Sequence, residues 1–237
     1  MTATSELTTN PLEFLKRNFL TLSPSLDYPT GTMVKPSGTV TVKLYDMAPD
    51  LQGMITVARI RNRKGPAKLM PKSNKSWWEK TVNYYQVLLA NPGDSETFEA
   101  YICPYRDNET NTKFLGMSAN FMFMGDMNDC TFGLGIPNAN GGVLVGHANA
   151  ANQALDTGTW DERLAPQQAA QRQNLAAQGL GQMIDPSVYR AGDKCEYMKA
   201  ITIGVRSGGD WSFWYQHQLH DAADSGQLTM MSLTPLR

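Results

Sequence analysis

Past residue 38 the chain alternates between apolar and polar positions. Thr39-Val40-Thr41-Val42-Lys43-Leu44-Tyr45 and Met54-Ile55-Thr56-Val57-Ala58-Arg59-Ile60-Arg61 repeat with period two, the spacing of strands with one buried face. Residues 97–103, 119–124, 131–134, 142–145, 200–206 and 211–218 also read as strands, and Gly208-Gly209-Asp210 joins the last two as a hairpin. Residues 80–89 fit strand or helix. Helical spacing occurs over 12–22, after Pro11, with apolar residues at 12, 14, 15, 19, 20 and 22. It returns over 160–179, rich in Ala, Gln, Glu and Arg, where Pro166 predicts the first turn of the main helix and Gly179 its end. Many strands and few helices predict an α+β fold, a β-sandwich-like mixed sheet core with flanking helices. One domain over residues 1–237 is expected, with 1–30 as an N-terminal helix and lead-in.

Charge changes this picture in one place. The formal net charge is -1, so the whole molecule has no general attraction for nucleic acid or an anionic membrane. No acid occurs between Asp50 and Glu79, where Arg59, Arg61, Arg63, Lys64, Lys68, Lys72 and Lys75 cluster. Taking those seven positives from -1 leaves the rest at -8. The stretch reads either as a docking face for an acidic or RNA-associated partner or as a solvated strand edge and loop, and charge runs are more often the latter. No segment approaches the ~20 apolar residues of a membrane helix. The N-terminus carries early acids and no long apolar run, unlike a Sec signal peptide.

Cys103, Cys130 and Cys195 are odd in number and widely spaced, which suits a reducing environment and forms neither a disulfide framework nor a CxxC metal pair. Cys103 and Cys195 have no histidine nearby in sequence and read as structural. His217 and His220 form H-x-x-H without a third ligand in reach, so no metal and no cofactor are expected. Gly133-x-Gly135 reads as hairpin punctuation, since no helix follows it.

The segment from Asn128 to His147 carries the chemistry. Pro137-Asn138-Ala139-Asn140 is turn-forming, with a short apolar arm on each side. Cys130 and His147 are equidistant from its centre, between Asn138 and Ala139, so a regular antiparallel hairpin would set them opposite each other. An imidazole beside a thiol can take its proton, and the resulting thiolate can attack an amide carbonyl. Backbone N–H groups of the Asp129-Cys130-Thr131 turn are the expected donors to the oxyanion. The plain alternative is a buried small cysteine and a hydrogen-bonded histidine.

PSGTVTVKL near residue 40, GPAKLMPK from Gly65, HANAANQ from His147, PSVYR from Pro186, ITIGVR from Ile201 and the following WSFWYQ occur in an order that resembles the Burkholderia lethal factor family of glutamine deamidase toxins. More distantly the chain is similar to the cytotoxic necrotizing factors and the chemotaxis receptor deamidase. The resemblance runs nearly end to end. It implies a strand leading into a Leu-Ser-Gly-Cys turn, with the catalytic histidine a dozen to a score of residues later. Strand 119–124, Cys130 and His147 take those places. Two departures stand out. Asn128-Asp129-Cys130 replaces Ser-Gly-Cys, and Met124 replaces the family's histidine-orienting threonine, leaving a backbone carbonyl or Asn120 for that task.

The expected function is therefore a cysteine-dependent protein glutamine deamidase. The resemblance implies a bacterial toxin or effector, exported without a Sec signal and acting as a monomer in the host cytoplasm. Its substrate would be a host protein, with a translation-initiation helicase as one candidate. Arg59, Arg61 and Arg63 are the expected docking residues, with no membrane and no direct nucleic-acid contact. The alternatives are another cysteine amidase or protease, and an inactive protein-binding module, which Met124 and Asp129 favour. The residues after Cys130 do not form the helix on which a papain-like nucleophile usually sits.

Overall fold

The computed structural model describes residues 2–27, 38–46, 57–60, 80–81, 83–189, 198–221 and 227–236. Helices α1 (Ala3–Thr9) and α2 (Pro11–Arg17) lead into strand β1 (Asn18–Leu22) and the short helix α3 (Pro24–Asp27). Then come β2 (Val40–Asp46), β3 (Val57–Ile60), β4 (Lys80–Thr81), β5 (Asn83–Leu89) and β6 (Phe98–Cys103). The middle of the chain holds β7 (Thr110–Leu115), β8 (Phe121–Met124), β9 (Thr131–Leu134), β10 (Val143–Ala148) and helix α4 (Trp160–Ala177). The last part holds β11 (Gln182–Ile184), α5 (Pro186–Tyr189), β12 (Met198–Ser207), β13 (Asp210–Asp221) and β14 (Gln227–Pro235).

Among the described residues, ten strands form a mixed sheet in the order β1-β5-β2-β6-β8-β12-β13-β14-β3-β4, and four form an antiparallel sheet, β11-β9-β10-β7. This is the sheet-rich α+β fold expected. The run Phe121-Met122-Phe123-Met124 explains how the layers stack. Phe121 and Phe123 join a core with Leu7, Phe14 and Leu15 of α1 and α2 on one face of the large sheet. Met122 and Met124 join a second core with Phe132, Leu134, Val143 and Val145 of the small sheet on the other. A central strand covered on both faces is apolar at successive positions instead of alternating.

Residues 12–22 split where one helix was expected. The helix stops at Arg17, and Asn18–Leu22 pairs in parallel with β5. Tertiary bonds decide this. The Leu20 N–H donates to Gln216 Oε1 at 3.1 Å, and Gln216 Nε2 donates to the carbonyls of Leu15 at 3.0 Å and Asn18 at 2.8 Å. Two buried glutamines of β13, Gln216 and Gln218, thus occupy the side of β1 away from β5. The described residues of 80–89 are strand, β4 (Lys80–Thr81) and β5 (Asn83–Leu89). Helix α4 begins earlier than Pro166 suggested, at Trp160, because Thr159 and Glu162 form a reciprocal capping box. Pro166 lies inside it, and Gly179 follows its end at φ +78°.

The glycines of the central hairpin seat α4. Gly133 and Gly146 are paired across β9 and β10, on the face away from the inter-sheet core. A Cβ on Gly146 would lie 2.5 Å from Leu180 Cδ1 and 2.8 Å from Leu175 Cδ2, and one on Gly133 would lie 3.0 Å from Leu180 Cβ. The Gly133-x-Gly135 signal is thus a packing seat as well as punctuation. Gly146→Ala is expected to cost about 1–3 kcal/mol through overpacking. Gly181→Ala, with nothing within 4 Å of its added Cβ, should be near neutral. Urea unfolding of the two variants checks the contrast.

Candidate active site

The hairpin register differs from the symmetric reading. His147 pairs with Phe132 and Ala148 with Thr131, which sets Cys130 opposite Asn149. The turn accounts for this. Asn138 Oδ1 accepts from the N–H groups of Asn140 and Gly142, both at 2.9 Å, and Gly141 adopts φ +75°. These bonds move the turn centre one residue along the chain and the register by two. A shift of two preserves the facing of every side chain. Cys130 and His147 therefore stay on one face as diagonal neighbours, with backbones roughly 7–8 Å apart and no hydrogen bond between the two side chains. That face looks into the inter-sheet core.

Cys130 sits in a tightly held turn just before β9. Gln167 and Gln171 of α4 donate to the Asp129 carbonyl at 3.1 and 2.8 Å, and Gln171 Oε1 accepts from Thr131 Oγ1 at 2.7 Å. From the other side, Tyr189 Oη donates to the Cys130 carbonyl at 2.8 Å. Arg172 of α4 pairs with Asp185 at 2.5 Å, and Asp185 accepts from the Ser187 N–H that opens α5. Helices α4 and α5 thus clamp the nucleophile turn. With the Asp129 carbonyl held towards α4, the Asn128 and Asp129 amides act on the sulfur in the sense that favours thiolate.

Cys130, 2% exposed, borders a cleft of about 440 Å³, lined by Tyr105, Asn128, Asp129, Asn149, Gln167 and Lys199 among others. Asn149 Nδ2 donates to Cys130 Sγ at 3.3 Å and to Tyr105 Oη at 3.3 Å, and Tyr105 Oη in turn donates to Asp107. Lys199 and Asp126 form an ion pair at 3.0 Å on the cleft wall.

His147 lies behind this wall. It is 2% exposed, its ring packs 5.6 Å from that of Tyr105, and neither ring nitrogen has a well-aligned hydrogen-bond partner. Burial holds its pKa down to about 4, and the Pro104 backbone carbonyl pulls weakly the other way. Burial likewise pushes the Cys130 thiol up to about 12; Asn149 opposes this, and the Asp129 carboxylate adds to it. The resting pair is neutral thiol and neutral imidazole. A neutral imidazole can accept a proton, but with these values transfer at rest is strongly uphill, so His147 can take the thiol proton only in concert with attack on a bound substrate.

The other expected residues fall differently. Thr131 is buried and turned to α4, away from the sulfur. Met124 is buried in the inter-sheet core. Asn120 is exposed beyond the opposite end of β8, where its carbonyl accepts from the Arg206 N–H, so it does not orient His147. The Pro104 carbonyl is better placed for that. Arg59 belongs to β3, paired with β14 on one side and β4 on the other, while Arg61, Arg63 and Cys195 lie outside the described residues. Cys103 is a free, fully buried thiol. Asn149, Tyr105 and the α4 glutamines were not anticipated. The available signal for Asn149 was its place two residues after His147, which the corrected register sets against Cys130.

Among the described residues no group of three or more His, Cys, Asp or Glu could hold a metal ion, and no helix is long and apolar enough to cross a membrane.

His147 also makes the fold sensitive to acid. It and His217, likewise held near pKa 4 by burial, ionise near 6.5 once unfolded. The unfolded state therefore binds the extra protons, and stability falls as pH drops from 6.5 towards 4. The loss is at most about 3 kcal/mol for His147 and less for the more accessible His217. Denaturant midpoints across that window should fall for the parent and flatten partly in His217→Gln. Compared with protein-family models and with curated proteins, the chain matched no family model and no curated sequence.

Proposed function

We propose that this chain is a cysteine-dependent amidohydrolase that deamidates glutamine side chains of a protein substrate. The observation that carries the reading is the joint placement of Cys130 and His147. The thiol lies at a cleft, with a neutral imidazole on the same sheet face one diagonal step away. The cleft wall adds amide groups, from Asn128, Asn149 and Gln167, suited to hydrogen-bonding a carboxamide.

The chemistry balances with these groups alone. His147 takes the Cys130 proton as sulfur bonds to the carboxamide carbon and the carbonyl electron pair moves onto oxygen. The tetrahedral species collapses, the C–N bond breaks, and nitrogen leaves as ammonia with the proton returned by His147. Water, deprotonated by His147, then attacks the thioester. The C–S bond breaks, the thiol is restored, and glutamine has become glutamate.

The resemblance to the deamidase toxins supports a host protein as substrate, with a translation-initiation helicase as one candidate, and an effector's life in the host cytoplasm. Docking is assigned to Arg59, Arg61 and Arg63, whose charges would speed encounter with an acidic surface. A second reading, an inert buried pair in a binding module, draws on the high thiol pKa and the concealment of His147.

Incubation with host cytosolic extract separates the readings. Deamidation releases ammonia without creating new chain termini, proteolysis creates termini without ammonia, and a binding module does neither. Ammonia release by the parent chain and none by Cys130→Ala is the expected result.

A further inference from the structure

Asn149 is the residue opposite Cys130, and its side chain is fixed from both ends. Its Oδ1 accepts from the backbone N–H of Asn108 at 3.0 Å and of Ala151 at 3.1 Å. Both are donors, so the amide can sit only one way round, with Nδ2 turned to the sulfur. Its two hydrogens serve Cys130 Sγ and Tyr105 Oη. Asn108 reinforces the arrangement from a left-handed backbone, φ +59°, while its own Oδ1 accepts from the Asn152 N–H at 2.7 Å. The turn after β6 and the exit of β10 are thus tied together through an amide that is 5% exposed and ends on the nucleophile.

A buried amide held this firmly is preorganised, so it stabilises charge without reorganising at the moment of reaction. We propose that Asn149 is a catalytic residue whose fixed side-chain N–H donates to the Cys130 sulfur as it becomes thiolate and, without moving, to the adjoining oxygen that becomes negative on attack. The second half rests on the deamidase reading; the first does not. His147 moves the proton, and Asn149 stabilises the charge left behind.

Asn149→Asp removes the donor and keeps the anchors. A carboxylate keeps the shape and the oxygen that anchors Asn108 and Ala151, but presents a negative acceptor to the sulfur instead of an N–H. Iodoacetamide alkylation of Cys130, followed on its peptide by mass spectrometry across pH 7–11, is the readout, with thermal unfolding as the check on folding. The expected result is a fall of about tenfold or more in the rate at pH 8 for Asn149→Asp, with the whole profile moved to higher pH. The new carboxylate would also repel a thiolate by charge alone, so Asn149→Ser, which adds no charge, must move the profile in the same direction in a folded variant. Asn149→Ser, which keeps a small donor, should fall between the two and serves if the Asp variant does not fold. An Asp variant, or failing it a Ser variant, that alkylates like the parent across the range overturns the proposal. Alkylation needs no amide substrate. A parent chain that releases no ammonia therefore sinks the deamidase reading while this comparison still decides the thiolate role of Asn149.

Discussion

Cys130→Ser is expected to lose roughly a thousandfold or more of turnover, because a nucleophile and its base act as a unit. The fold should survive. Serine is nearly isosteric, the Asn149 N–H that reaches the sulfur at 3.3 Å can donate to a hydroxyl, and the α4 and α5 clamps act on the backbone of the turn. The stability cost is limited to burying a hydroxyl with a partner, about 1 kcal/mol. Chemistry fails because serine is far less acidic than cysteine and the same neutral imidazole must deprotonate it. Cys103→Ser is the matched control. Cys103 is also fully buried, and its thiol is likewise raised to about 12, but it does not line the cleft. It should lose stability and keep turnover. Parallel kcat and unfolding measurements on the two variants test this, and retained activity in Cys130→Ser contradicts the mechanism.

His147→Gln should lower kcat by about 10²–10⁴-fold, the range of a lost general base, while filling most of the imidazole volume. The pH profile of the parent chain gives this its sharper form. With His147 held near pKa 4, the base is already neutral above about pH 5 and activity disappears only as pH falls through 4. With the thiol near 12, no acidic limb of a preformed thiolate–imidazolium pair appears around neutrality. The profile of kcat/KM should therefore be flat from about pH 5 to 9. A bell centred near pH 7 would contradict this, because kcat/KM reports the free enzyme and would then show a thiolate–imidazolium pair already formed at rest. Residual activity in His147→Gln that no longer depends on acid would identify His147 as the titrating group.

The sheet-forming segments were legible because burial on one face leaves a period of two. β2 and β13 follow that alternation in part, while β6 and β12 are buried at successive positions because both faces of the sheet are covered. β1 was not legible, since Asn18–Leu22 is buried throughout and its strand form depends on β5 and on Gln216, nearly two hundred residues away. β7 was missed for the opposite reason. Thr110–Leu115 is polar and half-exposed, at the rim of the small sheet. Cys130 and His147 were legible as a pair because a turn separates two apolar arms, and the error in register preserved their shared face. Asn138 was already seen as a turn residue, but nothing local said that its side chain would bond Gly142 and move the centre. Tyr105, Gln167, Gln171 and Tyr189 come from other elements and reach the turn only through the packing of the two sheets and α4. The basic segment was legible as a charge run alone, and most of it lies outside the described residues.

The most direct measurement is proteome-wide mass spectrometry of host cytosol treated with the parent chain or with Cys130→Ser. Glutamine-to-glutamate conversion adds about one dalton per site, the difference between an amino and a hydroxyl group on the carbonyl. A small set of glutamine positions should be converted by the parent chain and left untouched by Cys130→Ser. Conversion at the same positions by both proteins, or new chain termini in place of conversion, would contradict it.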